Sequence, residues 1–201
     1  MKDALRVTLA LTGASGMPIA NSLLHNLLLS GTLVNLIISK AGLLTYHQEM
    51  GVVLSAKPEQ SRATLLQTLS LANGELLQVY NNQDWYAPMA SGSSVDDAMV
   101  ICPCSMASLG RVALGCGEDL ISRAADVCLK ERKNLILVPR ETPFSALHLE
   151  NMLKLARLGV AILPPLPAFY THPQTIQDII DFIVSRILDQ IGVSNQLVKR
   201  W

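Results

Sequence analysis

The chain has 201 residues, 50% of them hydrophobic, and its 16 Lys and Arg against 16 Asp and Glu leave a formal charge of zero. That length and apolar content suffice for a substantial core in a single domain over 1–201. No long basic run and no basic–aromatic interleaving occurs, which excludes an extended nucleic-acid surface and leaves room only for a local anion pocket.

No apolar run reaches the roughly 18 residues of a membrane span. Cys102, Cys104, Cys116 and Cys128 lack the paired spacing of a zinc site and read as buried free thiols, which suits a reducing cytoplasm. His25, His47, His148 and His172 show no ligand spacing either, so no metal is expected. Aromatics are 4% of the chain, so aliphatic residues carry the mean hydropathy of +0.33, as parallel strands buried on both faces require.

In chain order, 6–11 reads as a first strand, too short for the apolar region of a signal peptide. Gly13-Ala14-Ser15-Gly16 follows, and Pro18 suits the first turn of a helix over 18–29. Two readings of this loop stand: a phosphate cradle at a helix N-terminus, or a turn in which Ser15 caps the helix. It is not the longer G-x-G-x-x-G fingerprint of ordinary dinucleotide enzymes. A strand over 33–38 closes on Ser39, and Glu49 reads as a solvent-facing helix residue. A helix over 61–71 and a weaker strand over 76–80 lead to a loop at 87–94. The strand over 98–102 runs into Pro103-Cys104-Ser105-Met106-Ala107-Ser108 and a helix over 105–114. Ser105 and Ser108 are caps or ligand contacts taken singly. Hydroxyls at three strand ends on one edge favour a flavin or nucleotide pocket.

A helix over 120–132, a strand over 135–138 and Arg140-Glu141-Thr142-Pro143 come next. Five of the 16 cations fall at 119–143: Arg123, Lys130, Arg132, Lys133 and Arg140. Arg140 leaves a strand's carboxyl end, placed to fork onto phosphate oxygens. The plainer reading is an Arg140–Glu141 surface pair and a solvated helix end at 130–133. A helix over 146–158 and a strand over 160–163 lead to Pro164-Pro165-Leu166-Pro167-Ala168-Phe169-Tyr170, a stiff segment that presents Tyr170 near the same edge or covers core. In the last helix Ile176, Ile179, Ile180, Ile183, Val184, Ile187, Leu188 and Ile191 form a core stripe, with Arg186 at its shoulder able to reach a cleft. The alternation predicts an α/β fold: a doubly wound, mostly parallel, Rossmann-like sheet with helices on both faces.

Gly13-Ala14-Ser15-Gly16, Ser39-Lys40, Ser91-Gly92-Ser93, Pro103-Cys104-Ser105, Arg123-Ala124-Ala125-Asp126-Val127, Leu129-Lys130-Glu131-Arg132, Arg140-Glu141-Thr142-Pro143 and the 164–170 segment together resemble the flavin prenyltransferase family, UbiX, over nearly the whole chain and in order. The resemblance implies an FMN-binding homo-oligomer, typically a dodecamer, that joins a dimethylallyl group from dimethylallyl (mono)phosphate to N5 and C6 of reduced FMN. Its product would serve a UbiD-type decarboxylase. By motif match, Gly13, Ala14, Ser15, Ser39, Ser105, Met106, Ala107, Ser108 and Arg140 would bind FMN. Ser91, Gly92, Ser93, Arg123, Lys130, Tyr170, Arg186 and Trp201 would surround dimethylallyl phosphate, some from a neighbouring subunit. Ser15, Glu49, Lys130 and Glu141 would be catalytic, and Trp85 would help wall the prenyl site. Lys133-Asn134 stands where the family often reads Arg-Pro, and Met17-Pro18 replaces a commoner Ala-hydrophobe pair. The alternatives are a flavin-dependent decarboxylase of cysteinyl substrates, for which the 103–108 loop is wrong, and a noncatalytic FMN-binding subunit.

Overall fold

The aliphatic runs form six strands: β1 (Arg6–Leu11), β2 (Leu33–Ile38), β3 (Leu77–Asn81), β4 (Ala98–Cys104), β5 (Asn134–Pro139) and β6 (Ala161–Ile162). All pair in parallel in one sheet of order β3-β2-β1-β4-β5-β6. The structure, a computed structural model, describes residues 4–72 and 74–199. The crossover from β3 to β4 carries only 3₁₀ turns, and the others carry α-helix: α1 (Met17–Leu29), α2 (Lys40–Met50), α3 (Pro58–Thr68), α4 (Met106–Leu114), α5 (Leu120–Lys130), α6 (Ala146–Arg157) and, after β6, α7 (Ile176–Ile191).

Side chains on a strand alternate between faces, and β1 supplies both cores. Val7, Leu9 and Leu11 meet Leu23 and Leu27 of α1 and Ile183 and Ile187 of α7 on one side. Ala10 turns to the other, with Leu109 of α4, Leu120 and Ala124 of α5 and Leu155 of α6. The alternation slips once, in β4. Cys102 lies in the α1 layer and Cys104, two residues on, in the α4 layer. The register against β5 shifts between Ile101 and Cys104. Pro103, which has no N–H to give a ladder, sits in this bulge and turns the strand's end.

At the amino edge Asp96, 2% exposed, accepts from Thr8 Oγ1 at 2.6 Å and Asn35 Nδ2 at 2.8 Å. Arg6 Nε lies 3.3 Å from its other oxygen. One carboxylate thereby clasps β1, β2 and the entry to β4.

Most element bounds fall where the aliphatic periodicity predicts. α2 does not: only Gly42 and Tyr46 are buried in it, too few to print a stripe. α3 starts earlier than the 61–71 expectation because Pro58 opens it. α5 stops at Lys130, and Arg132 then takes a left-handed φ of 56°. Among the described residues no helix is long and apolar enough to cross a membrane. Nor is there a metal-holding group of His, Cys, Asp and Glu among them.

Candidate functional site

β1 and β4 are neighbours, yet the helices that follow them, α1 and α4, pack on opposite faces. This is the switch point of the sheet, where the loops diverge and leave a crevice. Thr12, 1% exposed, pins its two walls together: its Oγ1 donates to Pro103 O at 2.8 Å and accepts from Ser105 N at 2.8 Å. Sequence reasoning missed Thr12, since a lone threonine after a strand carries no signal.

On one wall Ser15 does not cap α1. The N-cap is Gly16, at φ 127°, with no side-chain cap bond, and the Ser15 side chain is exposed. The first amides of α1 are not open to a phosphate either. Gly16 N and Met17 N both donate to Glu49 Oε2, at 2.9 and 2.7 Å. Glu49, read from sequence as solvent-facing, reaches back from the end of α2 to complement the helix dipole. Gly13 is required beside it, because a Cβ there would collide with that of Ala41.

Ser39 caps α2 by accepting from Gly42 N at 2.9 Å. Ser105 caps α4 by accepting from Ser108 N at 3.2 Å, with the buried Ser108 hydroxyl 3.0 Å away. Capping uses a hydroxyl's lone pair and leaves its proton available, so cap and ligand donor are compatible roles. Met106 and Ala107 form the first turn of α4. Arg140 follows β5, its N–H donating to Cys104 O at 3.3 Å, which sets it beside Ser105. It pairs with no carboxylate among the described residues. Glu141 instead accepts from Thr142 N at 3.1 Å. Gly13, Ala14, Ser15, Ser39, Ser105, Met106, Ala107, Ser108 and Arg140 thus share the carboxyl edge of the sheet.

A second group lies along α5. Ser91, Gly92 and Ser93 sit in successive 3₁₀ turns, Pro88–Ala90 and Gly92–Ser94, with the two hydroxyls 3.2 Å apart. Arg123 Nε donates to Ala90 O at 3.1 Å and its Nη1 pairs with Asp126 at 3.3 Å. Lys130 pairs with Glu131, and a Cβ on Gly92 would lie 2.9 Å from Lys130 Nζ. α5 starts at the carboxyl edge, where Asn82 accepts from Leu120 N at 2.9 Å and Ile121 N at 3.1 Å. It ends at the amino edge, where Lys133 Nζ lies 3.6 Å from Asp97. Lys130 and Arg140 therefore stand at opposite ends of the sheet within one chain.

A third group is on the α1–α7 side. Tyr170 meets Phe182 of α7 edge-on at 6.1 Å, and Arg186 pairs with Asp189 at 3.0 Å. One chain does not bring Arg186 to Lys130 and Arg123. Trp85 is partly exposed in the loop after β3, and Trp201 lies outside the described residues.

The three buried thiols, Cys102, Cys104 and Cys128, are poor nucleophiles. Burial pushes Cys104 up to about 12, against the opposing charge of Arg111, and Cys128 also to about 12. Cys102 is raised further by burial and by neighbouring Cys104.

Several of the exposed large apolar side chains fall on and just after α6. α6 buries only Leu155 and exposes Leu147, Leu149 and Leu153. Leu158, Leu166 and Phe169 are exposed after it.

The profile of the flavoprotein family matches residues 1–188. The chain is 50% identical over 201 residues to the flavin prenyltransferase UbiX of Pseudomonas aeruginosa, covering 100% of this chain and 96% of that one. A crystal structure of AnUbiX (PadA1) in complex with FMN and dimethylallyl pyrophosphate superposes with a TM-score of 0.87 at 38% identity, covering 98% of this chain and 97% of the other. A dodecameric FMN-dependent UbiX-like decarboxylase from Escherichia coli O157:H7 gives a TM-score of 0.85 at 37% identity, covering 98% and 99%.

Proposed function

The chain belongs to the flavoprotein family and, within it, to the flavin prenyltransferases, and on that premise we propose that it transfers the dimethylallyl group of dimethylallyl phosphate to FMN. The observation that carries the reading is the set of hydroxyl donors at the β1/β4 switch point beside a guanidinium with no carboxylate partner among the described residues. Ser39, Ser105 and Arg140 fit an ligand that joins a hydrogen-bonding ring to a phosphate.

Reduced FMN supplies the electron-rich N5 and C6 that accept the five-carbon group. The chain's residues orient, neutralise and exclude water. Gly13, Ala14, Ser15, Ser39, Ser105, Met106, Ala107, Ser108 and Arg140 hold the flavin. Ser91, Gly92, Ser93, Arg123, Lys130, Tyr170 and Arg186 hold the allylic phosphate, and Lys130 and the guanidinium groups stabilise the charge that it gains on leaving. Holding the two reactants in contact removes most of the entropic barrier. Glu49, within reach of the glycine loop, and Ser15 handle protons, Glu141 supports the phosphate pocket, and Trp85 and Trp201 shield the allylic group from water.

Lys130, Arg186 and Arg140 lie on separate parts of one chain, so the complete pocket is formed between subunits. The exposed leucines of α6 supply an association face for such an assembly, for which we propose a dodecamer. Cytoplasmic residence and delivery of the product to a UbiD-type decarboxylase belong to the same proposal.

The test is anaerobic incubation of the purified protein with reduced FMN and dimethylallyl monophosphate, followed by mass analysis of the released flavin. A flavin heavier by one five-carbon unit is expected. Unchanged flavin mass in a protein that binds FMN returns the chain to a flavin-binding role.

A further inference from the structure

Arg111 lies on α4, one turn beyond Ser108, and belongs to none of the motifs above. Its Nη2 donates to Ser108 Oγ at 3.3 Å and lies 3.7 Å from Asp119 Oδ2. Its Nε is buried with no hydrogen-bond partner among the described residues, although the side chain as a whole is 37% exposed. Asp119 is the N-cap of α5, and its other oxygen accepts from Ser122 N at 2.8 Å. One guanidinium therefore touches the hydroxyl pair at the start of α4 and the cap of the helix that bears Arg123 and Lys130.

Donor chemistry fixes one of these directions and constrains the other. A guanidinium has only donors, so Ser108 Oγ accepts from Arg111 and must place its own proton elsewhere. Ser105 Oγ, 3.0 Å away in a contact where either hydroxyl could donate, is an acceptor within its reach. Ser105 Oγ also accepts from Ser108 N. When the Ser108 proton goes to Ser105, both Ser105 lone pairs are engaged and its hydroxyl acts outward only as a donor. It is the less buried of the two serines.

We infer that Arg111 is a positioning residue for the flavin site: it sets the Ser108–Ser105 pair so that Ser105 presents a proton to a ring acceptor of bound FMN, and it couples that pair to α5 through Asp119. The inference rests on the proposed placement of flavin at the start of α4. Arg111 touches no substrate and acts through the serines.

The experiment measures FMN dissociation constants by fluorescence quenching, with the absorbance spectrum of the bound flavin, for Arg111→Met, Arg111→Lys, Ser108→Ala and Ser105→Gly, and for the double variant Arg111→Met/Ser105→Gly. Glycine is tolerated at an N-cap, so Ser105→Gly removes the hydroxyl without dismantling the helix. Arg111→Met and Ser108→Ala are each expected to weaken FMN binding about tenfold and to shift the flavin spectrum. Arg111→Lys, which restores a donor, is expected to recover most of both, and the double variant to bind no worse than Ser105→Gly alone. Wild-type affinity and spectrum in Arg111→Met, or additive losses in the double variant, overturn the role of Arg111 while Ser105→Gly still binds weakly. Undiminished binding by Ser105→Gly instead overturns the flavin placement itself. Should Arg111→Met fail to fold, Ser108→Ala decides: an unshifted spectrum and unchanged affinity reject the relay.

Discussion

Glu49 meets two amide protons of α1 with a single oxygen, and this makes the glycine loop a settled piece of structure before any ligand arrives. The anion that the helix N-terminus favours is carried by the chain itself. Ser15 is released from capping and stands exposed, the state required of a group that must meet a ligand. The cysteines show the opposite state. Cys102, Cys104 and Cys128 are buried with thiols raised well above neutrality, whereas Cys116 is only partly covered. A thiol-reactive chromophore at pH 8 should therefore titrate one thiol per folded chain rapidly and all four only after denaturation. Two or more fast thiols in the native protein would contradict the packing. Ser39, Ser105 and Arg140 were legible from their positions just after strands. Thr12 was not, because its partner lies 91 residues away, and Arg111 was not, because its second partner is the cap of the next helix.

α7 shows how an element's sequence and its packing agree. Its stripe of isoleucines covers β1 and α1, and Thr175 and Asp178 close a reciprocal cap at its start. The amides of Gln174 and Thr175 and the Thr175 side chain hold the Asp178 carboxyl below its ordinary value. A carboxyl lowered on folding stabilises above its unfolded pKa of about 4, and the contribution disappears as pH falls through the folded value. Asp178→Asn should therefore lower Tm at neutral pH and lose less of it than wild type as pH drops below about 4. Thermal unfolding across pH 2.5 to 7 checks this, with parallel curves for the two proteins as the contrary result. Strong periodicity made α7 readable, and bounded aliphatic runs made the strands readable, β3 only weakly. α2 escaped because its partners are the end of β1 and the glycine loop. Gly42 lies so close that a Cβ would come 2.6 Å from Leu11 O, and a helix held by backbone contact leaves little hydrophobic pattern.

For the whole molecule the proposed pocket implies a division of labour between subunits. α5 carries Lys130 to the amino edge while β5 releases Arg140 at the carboxyl edge, and α7 keeps Arg186 on the other face. Lys130→Ala and Arg140→Ala chains, each expected to be inactive alone, should complement when co-expressed. At equal ratio roughly a quarter of pockets formed between random pairs would be intact. Activity of purified mixed oligomers measures this, and none above the two parents would place Lys130 and Arg140 in separate functions. The sequence shows all these cations in order, but it cannot show which edge each one reaches. That depends on the direction of α5 and on faces that meet only between chains.

The Asp96 clasp has a practical corollary. Because strand order is fastened at the rim remote from the crevice, substitutions in the loops at 12–16, 39–42, 105–108 and 140–143 that spare Thr12, Gly13, Gly42 and the caps Ser39 and Ser105 leave that fastening untouched. Diversity introduced there would test chemistry, whereas diversity introduced around Thr8 and Asn35 would mainly test folding.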